Sequence, residues 1–254
     1  MPKPRPLILP PITDPGVLAQ IERLAQRQVA AAGPVMKALG RLGLGGERLL
    51  ARLPAGWRAQ LDRATRAGLA QAFAAAGTSR RILRPRGDWF NRVGLAATGA
   101  AGGAAGLPGA LAELPVMISL LLRAMLEIAE EHGFEPDDEE VRLECLRIFA
   151  AAGPVPDEVE PGLGTTRLPA LGSGIQGIIG TVAPRLSMVM GQKLAAQSAP
   201  VIGALAGASL NYAFTRYYQE LARVHFGLLR LARETGLPRE ALAEALQLKA
   251  NRRP

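Results

Sequence analysis

Apolar residues recur along this chain at the three- and four-residue spacing of amphipathic helices, and no segment shows the strict alternation of a strand. Glycine, proline and acidic residues at the borders of the apolar runs predict where helices begin and end. The pattern therefore predicts an all-α fold. The predicted helices cover residues 15–32, 57–76, 108–132, 137–153, 175–197 and 198–235, with a short helix after Pro238 and a proline-rich loop over 154–169.

Single residues predict several helix ends. Asp14 followed by Pro15 is a favourable pair for the cap and first position of a helix. Gly77, Gly133 and Gly236 each follow a periodic segment, so each is predicted to end the helix before it.

Charged positions predict how the helix over 198–235 is oriented. At 100° per residue, one narrow arc is predicted to face water and carries Arg216, Glu220, Arg223, Arg230 and Glu234. The opposite side is predicted to face the core and carries Phe214, Tyr218, Leu221 and His225. Asn211 falls on the buried side, whereas Thr215 and Gln219 fall towards the boundary between core and water.

Composition refines the fold class. Hydrophobic residues make up 48% of the chain but aromatic residues only 4%, so the core must be aliphatic and rich in alanine. Such a core suits closely packed helices, and we predict a single helical domain over 15–254 after an extended arm over 1–14. Cys145 is the sole cysteine, which excludes an intrachain disulfide and indicates a reducing compartment. The apolar run near the start is too short for a secretory signal, so a cytoplasmic location is expected.

The formal net charge of +8 is unevenly distributed. Residues 127–160 carry 12 acids and two bases, a net charge of −10, so the remainder carries +18. The densest basic cluster runs from Arg80 to Arg92 and directly precedes a long apolar stretch. This arrangement predicts a membrane-surface site, and a solvated turn between helices is the alternative. The candidate residues for that site are Arg80, Arg81, Arg84, Arg86, Trp89 and Phe90.

Two stretches are nearly free of charge. Residues 93–122 contain one charged residue, Glu113, and residues 194–215 contain none. Each is long enough to cross a bilayer, and both contain small residues four apart, as in Gly203 and Gly207. Prolines, glycines and the weak hydrophobicity of alanine favour a buried helical hairpin over a spanning or re-entrant segment.

A lone buried carboxylate at position 113 needs a partner. Arg123 and Glu127 lie four residues apart on the following helix and can pair with each other. Glu113 falls within about 40° of the Glu127 face if the helix continues past Pro115, so an internal cluster of Glu113, Arg123 and Glu127 is one interpretation. A structural Arg123–Glu127 pair with a solvent-facing Glu113 is the favoured interpretation.

Most catalytic and metal motifs are excluded. The segment 172–177 reads GSGIQG, but it follows Pro169 and not a strand, and no acid that could bind a ribose follows it. The acids DDEE over 137–140 are predicted to cap a helix, with magnesium binding as the alternative. His132 is predicted to be a cation at a helix C-terminus. With two histidines and one cysteine, no usual zinc site is expected.

Asn211, Thr215 and Gln219 have the spacing of the second metal motif of class I terpene cyclases, which ends in Glu. Gln219 lacks the charge of that acid, which weakens magnesium binding. These residues are therefore predicted to tie buried helices together. Chemistry on an isoprenoid phosphate, with magnesium as the cofactor, is kept as the weaker alternative to having no cofactor.

Three segments together resemble the EcsC family of bacterial proteins. They read LPGALAELPVMISLLLRAMLEIAEEHGF, EEVRLECLRIFAAAGP and APVIGALAGASLNYAFTRYYQELARVHFGLLRLARETG, and the similarity covers roughly residues 85–236. The resemblance implies a helical protein that is membrane-associated or linked to a transporter. It implies no settled activity and supplies no catalytic residues.

Two functions are compatible with these observations. The first is a non-enzymatic helper that binds an anionic membrane surface or a membrane protein complex from the cytoplasmic side. The second is a helical-bundle enzyme or carrier of a lipid-like ligand, with ligand-binding candidates at Glu113, Arg123, Glu127, Asn211, Thr215, Gln219 and His225. Nucleic acid is not an expected partner, because no recognised motif supports it and a strongly acidic segment opposes it. The oligomeric state is left open, and a homo-oligomer is compatible with the sequence.

Overall fold

The structure is a computed structural model, and it describes residues 11–31, 33, 56–82, 92, 94, 96–98, 106–151, 174–197 and 203–251. The predicted all-α class is confirmed, and the described ranges contain no β-strand. The helices are α1 (Pro15–Ala31), α2 (Trp57–Ile82), α3 (Gly106–Glu131), α4 (Glu139–Ala151), α5 (Gly174–Gln197), α6 (Gly203–Thr235) and α7 (Arg239–Asn251). Buried side chains from all of them form one continuous hydrophobic core.

Helix α6 forms the spine of the bundle and contacts α1, α3, α4, α5 and α7. Helices α3 and α6 run parallel, because Asn211 contacts Glu113 near their starts and Arg233 donates to the Gly133 carbonyl near their ends. Helix α4 runs antiparallel to α6, with the ring of Phe149 5.2 Å from that of Tyr218. Polar residues on α3, α4 and α6 are thereby placed inside one core.

Helix α2 lies against α3 and runs in the same direction. Gly68 faces Pro115 and Ile118 of α3, and Phe73, further along α2, contacts the Arg142 guanidinium at the start of α4. Since α4 begins just after α3 ends, the last turn of α2 lies towards the end of α3. That turn carries Arg80 and Arg81.

Local capping explains the helix ends that the sequence predicts correctly. The Asp14 carboxylate accepts hydrogen bonds from the amides of Gly16 (2.7 Å) and Val17 (3.0 Å), which makes it the predicted cap. Gly133 has a φ of 77°, and the Phe134 amide donates back to the Ala129 carbonyl at 3.0 Å, a Schellman ending.

Gly236, with a φ of 68°, ends α6, and its backbone amide donates a hydrogen bond to the Ala232 carbonyl. At the start of α4, the Asp138 carboxylate accepts a hydrogen bond from the Glu140 amide at 3.0 Å. This contact supports the capping interpretation of the DDEE motif.

The predicted end of α2 at Gly77 is wrong, because the helix continues to Ile82. A glycine inside a helix costs only about 1 kcal/mol relative to alanine, and α2 packs against α3 and α5. The loop over 154–169, the arm over 1–10 and the start of the long helix at 198–202 lie outside the described residues.

Helices α2 and α3 approach closely at Gly68, where a Cβ atom would lie 2.8 Å from Ile118 Cδ1 and 3.0 Å from Pro115 Cα. We expect Gly68→Ala to lower the free energy of unfolding by about 1–2 kcal/mol, because the backbone of α3 must shift to admit the methyl group. Urea unfolding measures this change.

The matched control is Gly180→Ala on α5, where the nearest atom to the added Cβ, Arg66 Nη1, is 3.9 Å away. This variant should be neutral or more stable by up to about 1 kcal/mol, because alanine favours helix. Equal stability of the two variants would show that the α2–α3 contact is loosely packed.

Candidate functional site

The membrane-surface candidates lie largely beyond what the structure describes. Arg84, Arg86, Trp89 and Phe90 lie outside the described residues, and Arg80 and Arg81 are placed only as backbone positions in the last turn of α2. Their proposed contact with a membrane therefore stays a prediction.

Arg92, the last arginine of the cluster, is described and lies against α6. Its Nε atom donates to Gln219 Oε1 at 2.7 Å, and its guanidinium lies 5.9 Å from the centre of the Tyr212 ring. The Tyr212 side chain is 42% exposed. The arginine cluster therefore ends at the surface of the bundle, beside an exposed aromatic ring.

Glu113 occupies a polar cluster between α3 and α6. Asn211 Nδ2 donates to Glu113 Oε1, and the Thr98 hydroxyl lies 3.4 Å from the same oxygen. Asn211 is fully buried and Glu113 nearly so. The carboxylate that the sequence marks as unusual is thus engaged by an amide donor 98 residues further along the chain.

Thr215 and Gln219 are fully buried, so their predicted positions at the boundary are wrong. Several helices surround α6, so its buried arc is wider than the single core-facing side assumed from the charges. Thr215 Oγ1 donates to the Asn211 carbonyl at 2.6 Å, and Gln219 accepts from Arg92. These contacts lie within and beside α6 and do not converge on one point.

The internal cluster of Glu113, Arg123 and Glu127 is not formed as one unit. The favoured Arg123–Glu127 pair is present, but Glu113 is nearly buried, so its predicted exposure to solvent is wrong. Arg123 pairs with Glu127 at 3.2 Å, with both side chains close to fully buried. Helix α3 continues through Pro115, so Glu113 lies roughly 15 Å along the axis from Arg123, beyond direct pairing. The Arg123–Glu127 pair and the Glu113–Asn211 pair are separate.

His225 belongs to a third group, on the other end of α6. Its Nε2 atom donates to Glu144 Oε2 at 2.7 Å. Arg239 donates to both Glu144 carboxylate oxygens, at 2.9 and 3.2 Å, and Arg147 also donates to Oε1. This Glu144 clamp joins α4, α6 and the start of α7.

The pKa values of both His225 and Glu144 in the clamp are lowered. Burial lowers the pKa of His225, so its ring is neutral at pH 7 and serves as a hydrogen-bond donor. Burial alone would raise the pKa of Glu144, but the hydrogen bond from His225 and the Arg239 pair outweigh it and hold this pKa at about 2.

Sequence reasoning missed Glu144, Arg147, Arg239, Arg92 and Thr98. Only Glu144 carried a signal, because it lies three residues after Val141 and four before Ile148, on the apolar face of α4. The others reach their partners from different helices, which no spacing within one helix predicts.

The remaining candidates have structural roles. His132 Nδ1 donates to the Ile128 carbonyl at 2.8 Å at the end of α3, as a helix-terminal residue should. Burial lowers its pKa, so the predicted charge is wrong and the ring is neutral at pH 7. Within the described part of the chain, no three His, Cys, Asp or Glu side chains are grouped so that they could hold a metal ion.

By length and apolar composition, residues 108–131 of α3 would be able to cross a membrane. More than half of the most apolar window of this helix is buried inside the bundle, as in the core helix of a water-soluble protein. No other helix in the described ranges meets these criteria.

Comparison with models of known protein families matches residues 90–231 to the EcsC protein family, which is more than half of the chain. The chain belongs to the EcsC family. No curated protein and no solved structure matches it. The region shared with the family contains α3 to α5 and α6 up to residue 231, and therefore includes the Glu113–Asn211 and Arg123–Glu127 pairs.

In this EcsC chain, the Glu144 clamp crosses the border of the shared region. Glu144 and His225 lie inside it, whereas Arg239 and the whole of α7 lie beyond it. The clamp therefore fastens a C-terminal helix outside the family match to the helices within it.

Proposed function

We propose that the protein is a non-enzymatic, membrane-associated helper that binds an anionic membrane surface from the cytoplasmic side. The observation that carries this proposal is the position of Arg92, which brings the end of the arginine cluster onto the bundle surface beside exposed Tyr212. Arginine and tyrosine are the side chains that suit the boundary between lipid headgroups and water.

Charge distribution supports the proposal. Outside residues 127–160 the chain carries a net charge of +18, which attracts anionic headgroups. The exposed acid Glu130 lies in the last turn of α3, roughly 21 Å along that helix from Val116. This separation is more than twice the Debye length of about 8 Å at physiological ionic strength, so Glu130 does not cancel the attraction beside Val116. Arg80 and Arg81, in the last turn of α2, lie towards the acidic end of α3.

Separation of the ligand-binding candidates favours this function over an enzyme or carrier. The candidates divide into the Glu113–Asn211 pair, the Arg123–Glu127 pair and His225 in the Glu144 clamp. Along α6, Asn211 and His225 are roughly 21 Å apart, too far to act on one small ligand. Each group instead joins helices or stabilises one of them.

Vesicle co-sedimentation tests the proposal. The variant with Arg80, Arg81, Arg84 and Arg86 changed to Ala should bind vesicles of anionic phosphatidylglycerol at least tenfold more weakly in low salt, because each basic residue near the surface contributes about 1 kcal/mol. Circular dichroism and urea unfolding should show an intact fold.

The matched control changes Arg23, Arg58, Arg63 and Arg66 to Ala, all exposed on α1 and α2. Both variants lower the formal net charge from +8 to +4, so only position distinguishes them. Equal losses would show a response to overall charge and contradict a defined binding surface. Failure of carbonate to extract the natural protein from membranes would instead indicate a spanning segment.

A further inference from the structure

Two large apolar side chains are exposed close to the Glu113–Asn211 contact. Val116, one turn after Glu113, is 50% exposed, and Tyr212, next to Asn211, is 42% exposed. Ala112 on α3 is also exposed. The neighbouring positions Glu113, Met117 and Asn211 are buried, so these apolar groups project outward from a closely packed region.

Val116 and Tyr212 project to the same side of the α3–α6 pair. Val116 lies three residues after Glu113, so it is rotated about 60° backwards around α3 from the direction of Glu113. Tyr212 lies one residue after Asn211, so it is rotated about 100° forwards around α6 from the direction of Asn211. Because the helices are parallel and face each other through Glu113 and Asn211, these opposite rotations point both side chains to one side.

Helix α4 covers the other side of the pair. Its Phe149 and Glu144 meet Tyr218 and His225, which lie nearly two and nearly four full turns after Asn211. Because neither spacing is a whole number of turns, Tyr218 and His225 are rotated slightly backwards from the direction of Asn211, whereas Tyr212 is rotated forwards. The side that carries Val116 and Tyr212 is therefore not the one on which α4 packs. We call Ala112, Val116, Tyr212 and Arg92 the α3–α6 outer face.

A cation borders this apolar surface. The Arg92 guanidinium lies over the Tyr212 ring, and its Nε is fixed by Gln219, so the charge is held at the edge of the outer face. A short apolar surface bordered by a positive charge and a tyrosine matches a bilayer, whose anionic headgroups lie above the acyl chains.

We propose that the α3–α6 outer face inserts into the interface of an anionic bilayer, with Val116 and Tyr212 below the headgroups and Arg92 beside a lipid phosphate. This inference rests on the proposed function and adds the surface and the orientation of binding. The side of the α3–α6 pair that carries Val116 and Tyr212 then faces the membrane, and α4 lies away from it.

Site-specific fluorescence tests the inference. Val116→Cys accepts a thiol-reactive dye that responds to polarity, because the natural Cys145 is buried and burial raises the pKa of its thiol. With phosphatidylglycerol vesicles, the dye at position 116 should shift to the blue. The control is Leu248→Cys on α7, which is 54% exposed and close to the Lys249–Glu22 ion pair, and its dye should not shift.

Affinity gives a second measurement. The double variant Val116→Ser/Tyr212→Ser should bind these vesicles about tenfold more weakly, because two half-exposed apolar side chains no longer leave water. The loss should persist at high salt, since it is not a charge effect. Leu248→Ser should bind as the natural protein does.

The outcomes separate this inference from the proposed function. Vesicle binding that depends on the arginine cluster, with no dye shift at position 116, overturns the inference and leaves the function. Absence of vesicle binding overturns both. If the double variant changes the mass in light scattering from oligomer to monomer and leaves vesicle affinity unaltered, a second copy of the chain covers the face and the inference is wrong.

Discussion

Replacing Glu144 by Gln should lower the free energy of unfolding by about 3–5 kcal/mol, the largest effect that we expect from one substitution. The carboxylate accepts hydrogen bonds from His225, Arg239 and Arg147, and it is nearly buried. The Gln amide has the same shape but lacks the charge that holds the two guanidinium groups in place. Only its oxygen accepts hydrogen bonds, since its nitrogen is a donor, so it cannot replace both carboxylate oxygens. Urea unfolding at pH 7 measures the loss.

The free energy of unfolding should fall in acid because of the same clamp. The pKa of His225 is lowered from 6.5 by burial, so stability that is present above pH 6.5 is lost as the pH falls and the unfolded chain takes up the proton. The pKa of Glu144 is lowered from 4.5 to about 2, so a second loss occurs between those values. The Gln variant should keep the first loss and lack the Glu144 contribution to the second.

A double-mutant cycle with Arg239→Met separates the pair from its surroundings. Glu144→Gln and Arg239→Met should be strongly coupled, by more than about 1 kcal/mol. The control is the exposed pair Arg230–Glu234, at 3.5 Å on the surface of α6, where about 0.3–0.5 kcal/mol is expected. Equal coupling in the two cycles would mean that the clamp contributes no more than a surface ion pair.

Replacing Asn211 by Leu should cost about 3 kcal/mol, because the Glu113 carboxylate then loses a buried amide donor. Changing both residues, with Met at position 113 and Leu at 211, should recover much of that loss, since an apolar pair needs no donor. Thermal and urea unfolding of the two single variants and the double variant measure this recovery.

The Glu113–Asn211 cycle also bears on function. If the pair is architectural, the stable double variant should bind anionic vesicles as tightly as the natural protein does. A stable double variant that has lost vesicle binding or cellular activity would give Glu113 a functional role and favour the ligand-binding hypothesis. The matched control is Ser119→Ala on α3, whose hydroxyl donates to the Pro115 carbonyl of the same helix.

Local chemistry made several features of the fold predictable. A carboxylate before a proline, as at Asp14, and a glycine with positive φ, as at Gly133 and Gly236, determine helix ends within a few residues. Gly77 carries the same sequence signal but does not end its helix, because a glycine inside a helix costs only about 1 kcal/mol relative to alanine.

The candidate site was only half predictable, for a physical reason. Burial of Asn211 and His225 follows from helical periodicity, and that part of the prediction agrees with the structure. Partners depend on tertiary packing, since Asn211 lies 98 residues from Glu113 and His225 lies 81 residues from Glu144. Periodicity of one helix contains no information about which neighbour it will meet.

The salt dependence of vesicle binding tests the central claim, attraction to an anionic membrane, most directly. Affinity for phosphatidylglycerol vesicles should fall at least tenfold between about 0.01 and 0.15 M salt, because the Debye length shrinks from about 30 to about 8 Å. Zwitterionic phosphatidylcholine vesicles should bind weakly at every salt concentration. Equal affinity for both lipids, or no binding to phosphatidylglycerol in low salt, would contradict the account.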